Sequence, residues 1–173
     1  MMIFKLLRKI ILISKKFRLN NDKVLIQWDF PIQSKFIFKG AAYIGERCSF
    51  IGSGKVIIGD NTIISNDVLM ITSMHNFKDN TMLPYGFSNE IGDIIISENV
   101  WIGARVTILP NVKIGKGVII GAGSVVTKDV PDMSIVGGNP AKIINSRDKN
   151  EYYKLEQQEQ LYLYKKYFNE VQK

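Results

Sequence analysis

Residues 96–130 read ISENVWIGARVTILPNVKIGKGVIIGAGSVVTKDV, and their spacing decides the fold. Ile96, Ile102, Ile108, Ile114, Ile120 and Val126 recur every six residues, and Val100, Val106, Val112, Val118, Ser124 and Val130 fall four places after each. Two aliphatic or small positions per six, two apart across each junction, are strand alternation interrupted by a turn. Three places after each lead stand Asn99, Arg105, Asn111, Gly117, Gly123 and Asp129. Five of these six are Gly, Asn or Asp, the types that best tolerate a left-handed backbone at a corner. A helix would need apolar residues three and four apart, which a strict six-residue period does not supply. The period reads strand, corner, strand, corner, and so predicts a stack of coils.

A weaker copy precedes this block, with Ile44, Ile51, Ile58, Ile64 and Met70 as leads and two steps of seven residues. Asn61 and Asp67 take its corner positions, and Gly45, Gly52 and Gly59 follow their leads. Between the blocks, residues 71–93 (ITSMHNFKDNTMLPYGFSNEIGD) break the period. An insertion in a regular stack usually lies on one face and often carries the site. The ends differ in kind. Ile3, Leu6, Leu7, Ile10, Ile13 and Phe17 lie at helical spacing among Lys5, Arg8, Lys9, Lys15, Lys16 and Arg18, a basic amphipathic helix. Tyr153, Leu161, Tyr164, Phe168 and Val171 predict a second helical stripe over 148–173. Both helices are placed to cap the open ends of the stack. The expected organisation is a basic helix and lead-in over 1–35, coils over 36–146 with the inserted loop 71–93, and a C-terminal helix over 147–173.

The 173 residues suffice for one domain with a core that needs neither disulfide nor metal. A net charge of +7 favours anionic partners, but no motif that reads nucleic acid accompanies it, so no nucleic-acid partner is expected. Cys48 is the only cysteine, which excludes an intramolecular disulfide and a cysteine-based zinc site and fits a reducing cytoplasm. The apolar run Ile10 to Ile13 is far shorter than the roughly 18 residues of a spanning helix, and no small-residue cleavage site follows it. The expected location is cytoplasmic. The inner membrane face is a second option, because the basic helix within residues 1–18 suits an anionic membrane surface.

Residues 100–144 carry three segments in order: WIG, IGAGSVVTKDVP and GGNPAK, with a histidine ahead of them. Together they resemble the hexapeptide-repeat acetyltransferases, most nearly the branch with galactoside, maltose and glycan O-acetyltransferases. The resemblance covers about residues 40–146. It implies a left-handed parallel β-helix of three flat sheets, three hexads per turn, associated as a homotrimer. It also implies acetyl-CoA as cosubstrate, bound in a groove between subunits, and direct transfer with one histidine as general base. The hand comes from the resemblance alone, since crossovers are normally right-handed.

His75 is the only histidine and lies in the irregular segment. Read alone, it is a surface imidazole. It stands seventeen residues after Ile58, a spacing similar to that of the family's catalytic histidine. A sugar hydroxyl is too weakly acidic to attack a thioester unaided, whereas an imidazole of pKa near ~6.5 can take its proton. The second ring nitrogen then needs an acceptor; Asp79, Glu90 and a backbone carbonyl are the candidates. For the cosubstrate, the resemblance points to Trp101 beside the CoA arm and to the backbone N–H of Ala104 facing the thioester carbonyl. It points also to Ala122, Thr127 and Lys128, with Lys128 the natural partner of the phosphates. Lys142 and Arg147 follow as further phosphate contacts. No metal is expected.

The pattern departs from the sugar acetyltransferases in one place: their NxN element, which binds the acceptor, is replaced by IGERCSF. A sugar or glycan acceptor is therefore expected with its identity open, and an N-acetyltransferase acting on an amino-sugar nucleotide is the enzymatic alternative. A non-catalytic β-helix scaffold is the third reading. A γ-class carbonic anhydrase shares the fold but needs three zinc-bound histidines from two subunits, and one per chain supplies at most two. Outward Ile95, Ile119 and Val125 leave apolar stripes on a lone coil, the mark of an interface. Static light scattering is therefore expected to give three times the chain mass, and a fully active monomer would refute this.

Overall fold

The computed structural model describes residues 23–26 and 35–168. Short parallel strands stack into three sheets. The first joins Val24–Ile26, Ala42–Ile44, Thr62–Ile64, Trp101–Ile102, Ile119–Ile120 and Ser134–Gly137. The second holds Phe36–Phe38, Val56–Ile58, Ile94–Ile96 and Lys113–Ile114, and the third holds Ser49–Ile51, Leu69–Ile71, Thr107–Ile108 and Val125–Val126. The chain visits second, first and third sheet in turn, which is the β-helix expected from the repeats. The expected basic helix over residues 3–19 lies outside the described residues.

The inward column is the period made visible. Ile58, Ile64, Ile96, Ile102, Ile108, Ile114 and Ile120 are buried, with Val100, Val106, Val112 and Val118 between them. At the corners, Asn61, Asp67, Asn99, Arg105, Asn111, Gly117 and Gly123 take positive φ as expected. Asp129 does not; its carboxylate accepts from the Lys113 N–H of the coil below at 2.8 Å. Asp60, Asn66, Asp93 and Asp132 do the same for Ala41, Glu46, Lys55 and Lys116. These side chains satisfy amides that the turning backbone leaves without a ladder partner. Coils also approach too closely for side chains at some corners: a Cβ on Gly103 would lie 2.6 Å from the Ala122 nitrogen.

The structure corrects the early register. Ile51 is 54% exposed, and Phe50 at 8% takes the inward place, paired with Met70. Its ring meets Phe36 edge-on at 5.1 Å. The steps from Ile44 are thus six and then eight residues, the extra length being spent in the loop around Gly52 and Gly54. Cys48 is interior as expected, its thiol donating to the Ser65 carbonyl.

The C-terminal segment also differs from expectation. The helix covers only Lys149–Gln157, capped by Asp148, and buries no residue. A separate π turn spans Tyr164–Phe168, and the fully buried anchor is Leu163, which the predicted stripe omits. The segment does not cap an end of the stack. It runs back along the corner between the second and first sheets as a strap, because the corner asparagines hold it. Asn99 donates to the Tyr152 hydroxyl at 2.8 Å and to Glu156, and Asn61 accepts from the Leu163 N–H at 3.0 Å. Lys116 pairs with Glu156 at 2.8 Å, and Tyr167 stacks on Tyr43. Before the strap, Lys142–Ser146 adds an antiparallel strand to the last strand of the first sheet.

Truncating Phe50 to alanine is expected to cost about 3–5 kcal/mol. Ile51→Ala should stay within about 0.5 kcal/mol. Urea unfolding of the two variants checks the register, and the opposite ranking would restore Ile51 to the core.

Candidate active site

The inserted loop is an arm built from a short hairpin. Ser73–His75 pairs antiparallel with Asn89–Ile91, so that His75 faces Asn89 and Met74 faces Glu90. Its root is pinned to the coil. Thr72 is buried, its hydroxyl accepts from Gly54 N–H at 3.1 Å, and its carbonyl accepts from Gly92 at 2.9 Å. The arm therefore leaves the stack at the corner between third and second sheets, from a rigid base. Its outer part is apolar and open to solvent: Phe77, Leu83 and Phe87 are exposed, Leu83 at 96%.

His75 ends the outgoing strand and is exposed. Its ring stacks on Tyr85, centroids 4.0 Å apart and 13° from parallel. Among the described residues neither ring nitrogen is hydrogen-bonded to Asp79, Glu90 or a carbonyl. Glu90 sits across from Met74. Asp79 is engaged elsewhere, accepting from the amides and hydroxyls of both Thr81 and Ser88 at 2.6–3.2 Å. These bonds, led by the Ser88 hydroxyl, hold its carboxyl well below the usual carboxylate range. They close the loop between the hairpin strands. Tyr85 was not separable from other loop residues in the sequence, because the period that gives residues their roles lapses there.

The expected cosubstrate residues fall into two places. Ala104 and Ala122 occupy stacked corners between the first and third sheets, where the Gly123 N–H donates to the Ala104 carbonyl at 2.8 Å. The Ala104 N–H has no partner among the described residues, so it is available to a ligand. Thr127 and Lys128 are exposed beyond the other edge of the third sheet. Between the two corners lies the outer face of the strands that carry Thr107 and Val125. Ala122 and Thr127 are five residues apart, at most about 16 Å at ~3.3 Å per residue. Lys128 shares a corner with the root of the arm, two strands away in the third sheet.

Trp101 is on a different face. It projects from the first sheet, 49% exposed, with its indole N–H toward the Ser65 hydroxyl at 3.4 Å. It lines cavities of about 300 and 380 Å³ between that sheet and the strap, together with Ile63 and Tyr162. The structure does not bring it to Thr127 and Lys128 within one chain. Arg147 donates to the Gly117 carbonyl at 2.6 Å and lies over the Tyr152 ring, so it anchors the strap. Lys142 is exposed on the last strand. Among the described residues no group of three or more His, Cys, Asp and Glu side chains could hold a metal.

A parallel β-helix with a histidine-bearing arm is the class of protein this geometry defines. Residues 93–128 match the profile of the bacterial transferase hexapeptide (six repeats). "Putative acetyltransferase SACOL2570" of Staphylococcus aureus (strain COL) is 37% identical over 143 residues, 80% of this chain and 70% of the relative. The chain spans about half the length of two other curated relatives, 50% of one from Bacillus subtilis and 46% of one from Schizosaccharomyces pombe. The chain belongs to the hexapeptide-repeat transferase family.

Many solved structures resemble it, among them the following three. VCA0836, a hexapeptide-repeat acetyltransferase complexed with acetyl-CoA from Vibrio cholerae O1 biovar eltor, is 27% identical with TM-score 0.58, covering 73% of this chain and 72% of that one. A galactoside acetyltransferase in complex with CoA is 29% identical with TM-score 0.56, covering 75% and 66%. A mutant of AntD, an N-acyltransferase from Bacillus cereus in complex with dTDP and CoA, is 28% identical with TM-score 0.53, covering 80% and 85%.

Asp79's depressed value means that its lock on the loop is fully present above its ordinary pKa of ~3.9 and is lost only as pH falls through the lower folded value. The Ser88 amide resonance should therefore stay unchanged from pH 7 to pH ~4. A titration step near ~3.9 would show an ordinary, unbonded carboxylate.

Proposed function

We propose that this chain moves an acetyl group from acetyl-CoA to a sugar hydroxyl of a glycan or glycan precursor, directly, with His75 as the general base. One observation carries the proposal. The chain's only histidine stands on a pinned arm with both ring nitrogens open, in a fold whose relatives include an acetyl-CoA complex. In this reading an open nitrogen of His75 accepts the hydroxyl proton as the oxygen attacks the thioester carbonyl. The Ala104 N–H donates to the oxygen on which charge develops. The C–S bond breaks, and His75 returns its proton to the departing thiolate. Ala122, Thr127 and Lys128 hold the arm and phosphates of the cosubstrate, and Trp101 flanks the site.

Within one chain His75 and Ala104 lie at different corners, so this reading includes a second subunit that completes the site. The apolar Phe77, Leu83 and Phe87 of the arm suit such a contact. A homotrimer satisfies it with one repeated interface. The sugar acceptor draws support from the galactoside acetyltransferase.

The test measures free CoA release with acetyl-CoA against mono-, oligo- and amino-sugar acceptors, and treats the product with hydroxylamine, which cleaves an acetyl ester and spares an amide. His75→Ala should lower turnover by ~10²–10⁴ with acetyl-CoA binding nearly intact. Cys48→Ala should stay close to wild type, because a buried, hydrogen-bonded thiol is inert. An active His75→Ala enzyme, or an acetylated protein trapped with acetyl-CoA alone, overturns direct transfer; a hydroxylamine-stable product assigns the amino-sugar reaction instead.

A further inference from the structure

We propose that Tyr85 is a positioning residue for His75, fixing the plane of the imidazole by covering one face of it, and that the closed loop around Asp79 holds Tyr85 in place. The proposal rests on the general-base reading of His75. An exposed histidine at the end of a two-stranded hairpin normally rotates freely, and a base that rotates spends little time in line with its proton. In other bases a hydrogen bond to the second ring nitrogen sets the orientation. Here no described residue makes one. What touches the ring is the Tyr85 face, at 4.0 Å and 13°.

Face-to-face stacking has a consequence that a hydrogen bond does not. It fixes the ring plane and leaves both nitrogens on open edges, one to take the proton and the other for water or acceptor. The same aromatic face attracts the imidazolium formed when the proton is taken. Tyr85 is itself held. The neighbouring Gly86 donates its N–H to the Asp79 carbonyl at 2.9 Å. Its α-carbon packs so closely on the Asp79 carboxylate that a Cβ there would lie 2.1 Å from Oδ1. On the far side Ser88 is tied to the other carboxylate oxygen by both its amide and its hydroxyl. The loop thus presents Tyr85 from a backbone gripped just past it.

Because His75 is the only histidine, its ring C–H resonances are assigned without ambiguity, and they report the stack independently of catalysis. The wild-type signals should be shifted upfield by the Tyr85 ring current. Tyr85→Phe should keep both the shift and wild-type turnover, since it keeps the ring and loses only the hydroxyl. Tyr85→Leu should abolish the shift and lower kcat on the order of 10- to 100-fold, with the KM for acetyl-CoA unchanged. Asp79→Ala should move both readouts in the same direction as Tyr85→Leu. A wild-type spectrum without the upfield shift, a Tyr85→Leu enzyme of normal kcat, or a Tyr85→Phe enzyme as impaired as Tyr85→Leu each overturns the positioning role. Asp79→Ala with shift and kcat intact removes Asp79 from it. His75→Ala with normal turnover sinks the general-base reading instead, and the resonances then still tell whether Tyr85 orders the ring.

Discussion

Everything in this molecule depends on how closely one coil can lie on the next. Parallel strands pair at ~4.8 Å, so each corner must turn within that height and leave nothing beneath the following coil. Gly59 and Gly103 stand where a Cβ would strike the backbone of the next coil. Left-handed Asn61, Asn99 and Asn111 make the turn where a side chain can point away. The amides that such turns strand are taken up by Asp60, Asn66, Asp93, Asp129 and Asp132 from the neighbouring coil. With the corners equal, the inward isoleucines and valines stack into one unbroken column. Anything longer than a corner has to project, as the His75 arm does.

The coils were legible because one residue choice repeated many times outweighs any single ambiguity. From Ile96 to Val126 every lead is inward, and even Arg105, the corner residue of unpromising type, takes the left-handed conformation. Legibility failed where one local alternative was as good as another. Phe50 and Ile51 are adjacent apolar residues, and the contact that chooses between them is with Phe36, fourteen positions earlier. The strap failed for a related reason. Its helical spacing is real, yet Asn61 and Asn99, more than fifty residues away, dictate where it lies. Asp79 and Tyr85 belong to a loop with no period at all, so nothing in the sequence ranked Asp79 as a loop clasp above a histidine partner.

The site residues show the same division. His75 was marked by its spacing from Ile58, and Ala104, Ala122, Thr127 and Lys128 by the resemblance of the WIG and IGAGSVVTKDVP segments. Their distribution over two corners, with Trp101 on a third surface, is a property of the folded prism that linear order conceals. Residues 101 and 104 are near in sequence and lie on different sides of a turn. Residues 104 and 122 are far apart and stacked. A chain of this shape offers polar and aromatic groups on several flat faces at once.

The strand Lys142–Ser146 bears on how long such an object can grow. A parallel coil is in principle endless, since its upper rim has the same sense as its lower rim and could seat another molecule directly. In the first sheet this chain turns back and lays a strand of opposite direction over the rim, with Lys142, Asn145 and Ser146 in it. A second molecule arriving in the same orientation meets hydrogen-bonding groups running the wrong way and a charge at the margin. The reversal gives the first sheet a last edge whose sense is opposite to that of every strand beneath it.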